Sequence, residues 1–186
     1  MIQVHKVPEV RLKQGDILKD VEYIERVITV DGNIEVTKIL FPLVVVVSQD
    51  CDLTWDFENR INQSASNQDK YLLSVLVLPL YNYEHFVDGV HLQDLDRKMI
   101  QISRNQNKSD NKNLRKNETP RYHYLEFADD VPIVNSVIDF KHYFTVNIEY
   151  LENHKRQNFV CNIGDLYRER ISQRFTNFLS RIGLPE

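Results

Sequence analysis

The residues best placed to do chemistry are Asp50, Cys51 and Asp52, a thiol between two carboxylates. They follow directly on Phe41-Pro42-Leu43-Val44-Val45-Val46-Val47-Ser48-Gln49. If a strand continued through them, Asp50 and Asp52 would face one way and Cys51 the other. Carboxylates so spaced are hard oxygen donors that suit Mg²⁺ or Ca²⁺, with Asp56 and Glu58 close by to add to them. Cys51 would act as a nucleophile only beside a base or in positive surroundings, and its neighbours are acidic. The plainer alternative is structural: a small buried thiol, and aspartates that bond to backbone amides and end the strand.

The second cluster is Arg121-Tyr122-His123-Tyr124. On a strand, Arg121 and His123 share one face and the tyrosines the other. Beside Asp50 or Asp52 the Arg–His pair would suit a phosphate or carboxylate. Otherwise the tyrosines pack in a core and His123 makes one structural hydrogen bond. The catalytic candidates are therefore Asp50, Cys51, Asp52 and His123. His142, next to Lys141, repeats the signal faintly. His85 and His91 stand six apart, which suits no helical metal pair, and HExxH is absent. No Gly-rich phosphate loop or GxSxG elbow is present either. No metal site and no cofactor are expected.

Candidates for ligand binding are basic. Residues 104–121 hold Arg104, Lys108, Lys112, Arg115, Lys116 and Arg121 against Asp110 and Glu118, a net charge of +4. Lys112, Arg115 and Lys116 could track a nucleic-acid backbone, although a solvated loop is the ordinary reading. Near the end of the chain Arg170, Arg174 and Arg181 fall beside the apolar face of a helix. Arg168 falls on its apolar side and needs to snorkel or to pair with a carboxylate, with Asp139 and Asp50 as candidates. Arg121, Arg168 and Arg174 complete the ligand-binding set.

These side chains must be positioned by mixed elements. Residues 21–30 and 34–39 alternate with period two around Asp31-Gly32-Asn33, a strong hairpin turn. The Val run of 41–49 reads as a buried strand and 71–80 as another, which Pro79 ends. Residues 54–70 are polar and read as a loop. Helices are expected at 82–91 and 93–104, strands at 122–127, 133–140 and 143–150, and a short apolar segment at 159–163. The clearest helix spans 166–182, with Asp165 as its N-cap and Gly183 and Pro185 beyond it.

Glycine and proline number only five and six in 186 residues, which argues against a linker-rich chain, and the net charge of −4 argues against a dedicated nucleic-acid binder. Residues 1–16 carry no hydrophobic signal core, and no stretch approaches the roughly 18 apolar residues that span a bilayer. Cys51 and Cys161 match no CxxC pattern and read as free thiols in a reducing cytosol.

Gly15-Asp16-Ile17-Leu18, the hairpin, Phe41-Pro42-Leu43-Val44-Val45-Val46-Val47-Ser48 and Leu76-Val77-Leu78-Pro79-Leu80 together resemble the MazF/PemK family over residues 14–82. The resemblance implies a small SH3-like β-barrel, in a family known for toxins that cut RNA. Phe41 stands where the family has an Arg before the Pro, and Leu80 and Tyr81 follow Pro79 where a Thr or Ser is usual. The family's catalytic pair is therefore missing. The second half, including RYHYLEF, VIDFKHYFTV and SQRFTNFLSRIGLP, resembles uncharacterised bacterial proteins.

The expected fold is α+β, an antiparallel, partly closed SH3-like barrel core with a closing C-terminal helix. One domain is expected over 1–186. Its β core covers 8–81 and 122–163, a helical and basic-loop excursion covers 82–121, and the last helix covers 165–182. The first functional expectation is a non-catalytic cytosolic binding or adaptor domain with a protein partner and no membrane. Nucleic-acid binding through 104–121, or PemK-like RNA cleavage, is the alternative. A metal- or thiol-dependent enzyme on Asp50-Cys51-Asp52 is the third.

Overall fold

Asp31 and Gly32 are the pivot of the longest element pair. Both have positive φ, 50° and 80°, as a two-residue hairpin loop requires. The loop joins β2 (Asp16–Val30) to β3 (Asn33–Val46), which pair antiparallel along their length with one irregularity between Ile24 and Arg26. A short β1 (Val4–His5) precedes them. The computed structural model describes residues 1–62, 64 and 66–181. The helix end expected at Ile182, with Gly183 and Pro185 beyond it, lies outside those residues.

After β3 come α1 (Asp50–Ile61), β4 (Ser74–Asn82), α2 (Tyr83–Val87), a 3₁₀ turn (Gln93–Leu95) and α3 (Ser109–Arg115). Then follow β5 (Tyr122–Leu125), β6 (Ser136–Asp139), a 3₁₀ turn (Phe140–His142) and β7 (Phe144–Asn147). The chain closes with α4 (Ile148–Asn158), β8 (Phe159–Ile163) and α5 (Asp165–Leu179). The architecture is α+β with antiparallel strand pairing.

These elements gather into two compact units. One holds residues 6–79 and 144–162, the other residues 1–5, 80–143 and the described chain from 163 onward. In the first, β2 pairs with β8 and β3, β3 with β4, and β4 with β7, a five-strand order of β8-β2-β3-β4-β7. Leu18, Val21, Val44, Val46, Val75, Val77 and Val146 from these strands bury against Leu53 of α1 and Ile148 and Leu151 of α4. The Val run is thus central because its residues lose nearly all contact with water, each contributing about 1.5–3 kcal/mol of transfer free energy.

A buried ion pair sits at one end of this sheet. Lys155 Nζ lies 2.7 Å from Asp16 Oδ2 and donates to the Arg11 carbonyl at 2.6 Å. Asn162 donates to Asp16 Oδ1 at 2.9 Å and to the Gln14 carbonyl at 3.0 Å. Desolvation pulls the Asp16 carboxyl upward, and Lys155 acts against it. Satisfied on every side, the cluster ties β2, α4 and β8 together.

In the second unit Leu80–Asn82 of β4 pairs with β6, and β6 with β5. Phe175 and Phe178 of α5 pack around Phe140, with ring centroids 5.6 and 5.9 Å away. Asn82 caps α2 through the amides of Glu84 and His85. Tyr83 donates to Asn111 at 2.8 Å, which fixes α3.

Several expected elements are corrected. Residues 50–61 form a helix, not a strand end and a loop: Asp50 and Asp52 lie in its first turn, where acidic charge suits the helix dipole. Strand β4 does not stop at Pro79 but continues to Asn82. Residues 148–158 are helical where a strand was expected to run on to 150, because Asn147 caps the Tyr150 amide. The helices expected at 82–91 and 93–104 shrink to α2 and a 3₁₀ turn. Gly89, with φ of 72°, ends the first, and Met99 donates back to its carbonyl at 2.9 Å. Asp165 is the first residue of α5 and Gly164 its cap.

Candidate functional site

Asp139 ends β6 fully buried, and three groups converge on it. Arg121 grips both carboxylate oxygens, with Nε at 2.8 Å from Oδ1 and 3.0 Å from Oδ2 and with Nη2 on Oδ2. The Lys141 amide donates to Oδ1 at 3.0 Å, and His142 Nε2 lies 3.6 Å from Oδ2. Arg121 and Asp139 meet because Tyr122 pairs with Asp139 across β5 and β6, which brings the preceding side chain within reach. A bidentate Arg–carboxylate pair of this kind fixes both groups in direction as well as distance.

Behind them His142 Nδ1 lies 3.0 Å from the Tyr81 hydroxyl. Burial pushes Tyr81 up, with Asp139 adding to it, so the phenol stays protonated and donates. His142 then carries its proton on Nε2, toward Asp139. Burial also lowers the His142 pKa.

In front of the pair is a cavity of about 240 Å³. Phe86, Met99, Ile100, Ile102 and Leu114 supply apolar walls, with Tyr122 beside them. Asp110, Asn113, Thr119, Arg121, Asp139 and His91 supply the polar groups. His91 stacks on Phe86 at 4.4 Å and meets the Tyr81 ring at 4.8 Å. Burial pushes its pKa down to about 4, and His142 adds to the effect, so the ring is neutral at pH 7. Both His91 nitrogens are closed to solvent and make no hydrogen bond of good geometry among the described residues, while the His85 backbone acts weakly on the ring. Charges around the cavity are two carboxylates and one guanidinium, so it does not attract anions.

The residues singled out from the sequence separate. Asp50 is the first residue of α1; its carboxylate accepts from Arg11 at 3.0 and 2.9 Å and from the Gln14 amide at 3.2 Å. Cys51 is exposed one residue further on, with Sγ 3.6 Å from Gln49 Oε1 and 3.7 Å from Asp52 Oδ1. All three belong to the first unit, and no group of three or more His, Cys, Asp or Glu among the described residues is arranged to hold a metal. The second thiol, Cys161, is buried on β8 and pushed up to about 12 by burial.

His123 belongs to the other unit and sits buried on β5 opposite Ile138, 6.2 Å from the Phe140 ring. Burial, then Arg174 and Arg170, push its pKa down to about 3. It does not line the cavity, although Arg121 does. Arg174 turns inward and donates to the Thr119 and Tyr122 carbonyls at 2.8 and 2.9 Å, so it buttresses β5. Arg168 pairs with Asp165 at 3.4 Å and lies 3.8 Å from Glu169, acids of its own helix. Lys112 stands exposed on α3 and Lys116 exposed at its C-cap, whereas Arg115 bonds to Gln106 and lies over the Tyr124 ring. Arg104 is held by Asp88 and Glu84, which removes it from the basic stretch.

Sequence reasoning named Asp139 only as a partner for Arg168 and set His91 aside as half of no metal pair, so it placed neither at a site, and it gave Tyr81 no role. Asp139 had a signal in the strand pattern of VIDF, where an acid on a strand otherwise buried on both faces demands a cation. His91 and Tyr81 had none. Models of known protein families give no match to this chain, and curated proteins give none either.

Proposed function

We propose that the protein is a non-catalytic binding domain whose Arg121–Asp139 cavity takes a small, flat, uncharged molecule. The observation that carries this reading is the cavity itself: mainly apolar walls with neutral His91 on one side and the fixed Arg121–Asp139 pair on the other. An apolar pocket with a few convergent polar groups is the ordinary form of a small-molecule site. About 240 Å³ is room for roughly eight water volumes, the scale of one ring with one substituent. Surplus negative charge on the lining disfavours a carboxylate or phosphate ligand. Burial keeps Tyr81 protonated and its hydroxyl is engaged with His142, so neither serves as an acid or a nucleophile, which supports binding over turnover.

An SH3-like closure of the five-strand sheet and kinship with the MazF/PemK family are further parts of the proposal, carried by the sequence resemblance. RNA cleavage is disfavoured within it: Phe41, at the family's Arg position, stacks on Phe144 at 5.1 Å. A cytoplasmic setting is proposed from the two free cysteines.

The test is a titration with benzamide, benzyl alcohol and benzoate, followed by amide NMR. The two neutral probes should shift the signals of His91, Ile102, Asn113 and Tyr122 with dissociation constants of about millimolar, as their size allows. Benzoate should bind at least about tenfold more weakly, as the excess of lining carboxylates requires. Ile102→Trp, which fills the cavity, should abolish the shifts. No shift with any probe, or a preference for benzoate, would sink the reading.

A further inference from the structure

The outer part of the β2–β3 ribbon carries apolar side chains that the core does not use. In the register of the two strands, Ile24, Val27, Ile34, Val36 and Leu40 fall on one face, with Glu22, Thr29 and Lys38. The five apolar residues are between 46% and 73% exposed. Together they present on the order of 500 Å² of apolar surface, at the upper range of what a monomer ordinarily shows in one patch. Val27 and Val36 are directly opposite each other, in the middle of the stripe. Among the described residues, the outer parts of the two strands, beyond the short pairings of β2 with β8 and of β3 with β4 and the contact of His154 with the Lys19 carbonyl, pair with no third strand. A two-stranded ribbon alone in water is marginal.

We propose that this face packs against the same face of a second copy of the chain. Two arguments select that occupant. The first is area. Two such faces together would cover roughly 1,000 Å² of apolar surface, and the polar neighbours add to it, which reaches the size that a specific interface needs. The second is charge. Glu22 and Lys38 are paired on this face at 2.7 Å, so it carries no net charge and meets an identical copy without repulsion. A strongly basic or acidic partner finds nothing complementary there. In such a two-fold interface the central residues meet their own counterparts, which places Val27 and Val36 at the axis. The inference does not rest on the cavity.

Sedimentation velocity from about 1 to 100 µM, the range of a modest interface, tests it. The wild-type chain should move from monomer to dimer across that range. Val36→Asp and Val36→Lys should each stay monomeric, with unchanged far-UV circular dichroism. Mixed in equal amounts they should dimerise again, because unlike charges then meet at the axis. Ile34→Glu, beside the turn, supplies a second variant should Val36→Asp fail to fold. A wild-type chain that is monomeric throughout, a Val36→Asp dimer as stable as the wild type, or a mixture that stays monomeric would each overturn the proposal.

Discussion

His123 shows how one residue couples packing to pH. Its ring is held neutral in the folded chain because burial, with Arg174 and Arg170 nearby, pushes its pKa down to about 3. The unfolded chain offers an ordinary imidazole that takes up a proton below about pH 6.5. Protonation therefore favours the unfolded state. The contribution is intact above pH 6.5 and is lost as pH falls from there toward 3. Between pH 7 and pH 5 the loss should be about 2 kcal/mol. Urea denaturation at both values should show a loss smaller by about that amount in His123→Phe than in the wild type, the remainder coming from His91 and His142, whose pKa values burial also lowers; parallel pH dependence in the two would refute the assignment. The hydrogen bond expected of His123 is not seen among the described residues, where its Nδ1 is buried without a partner, and burial, ahead of Arg174 and Arg170, accounts for the ring's neutrality. The RYHY motif did not disclose the Arg121–Asp139 pair, since residue 121 meets residue 139 only through strand pairing.

At the scale of elements, two glycines with similar φ have different duties. Gly32, at φ of 80°, has open space around a would-be Cβ, so Gly32→Ala should cost only the left-handed strain, about 1 kcal/mol. At Gly89, with φ of 72°, a Cβ would overlap the Met99 carbonyl, a backbone atom that cannot swing aside. Gly89→Ala should therefore cost at least about 3 kcal/mol, the sum of strain and overpacking, and should open the wall that Met99 and Ile100 give the cavity. Thermal unfolding of the two variants decides this; equal losses would mean that the close approach yields easily. The hairpin was legible because Asp-Gly between alternating runs has one good solution. The α1 helix was legible in principle, from acids in its first turn and Leu53 and Phe57 four apart, but the preceding Val run suggested that the strand continued.

At the scale of the whole molecule, the chain passes repeatedly between its two compact units, and neither is a continuous segment. Residues 6–79 contain β2, β3 and α1 but lack Phe144, Ile148 and Leu151, which belong to the same core. A fragment of residues 6–79 should therefore give the collapsed amide NMR spectrum of an unfolded chain, and a well-dispersed spectrum would show that β2, β3, α1 and the first part of β4 suffice. Adding residues 144–162 through a short Gly/Ser linker should restore dispersion, because it returns β7, α4 and β8. What the sequence determined by itself is local: the hairpin at Asp31-Gly32, the buried strand residues Val44, Val45 and Val46, and an apolar face on the last helix. Each depends on residue preferences and on a period of two or 3.6, which neighbours along the chain carry. The tertiary structure alone decided that Asp50 belongs to Arg11, that Arg121 belongs to Asp139, and that His91 lines a cavity. Those pairings join residues tens of positions apart, or depend on a ring's position against distant side chains. Hydrogen bonds and desolvation act over a few ångströms of space, and distance along the chain does not encode them.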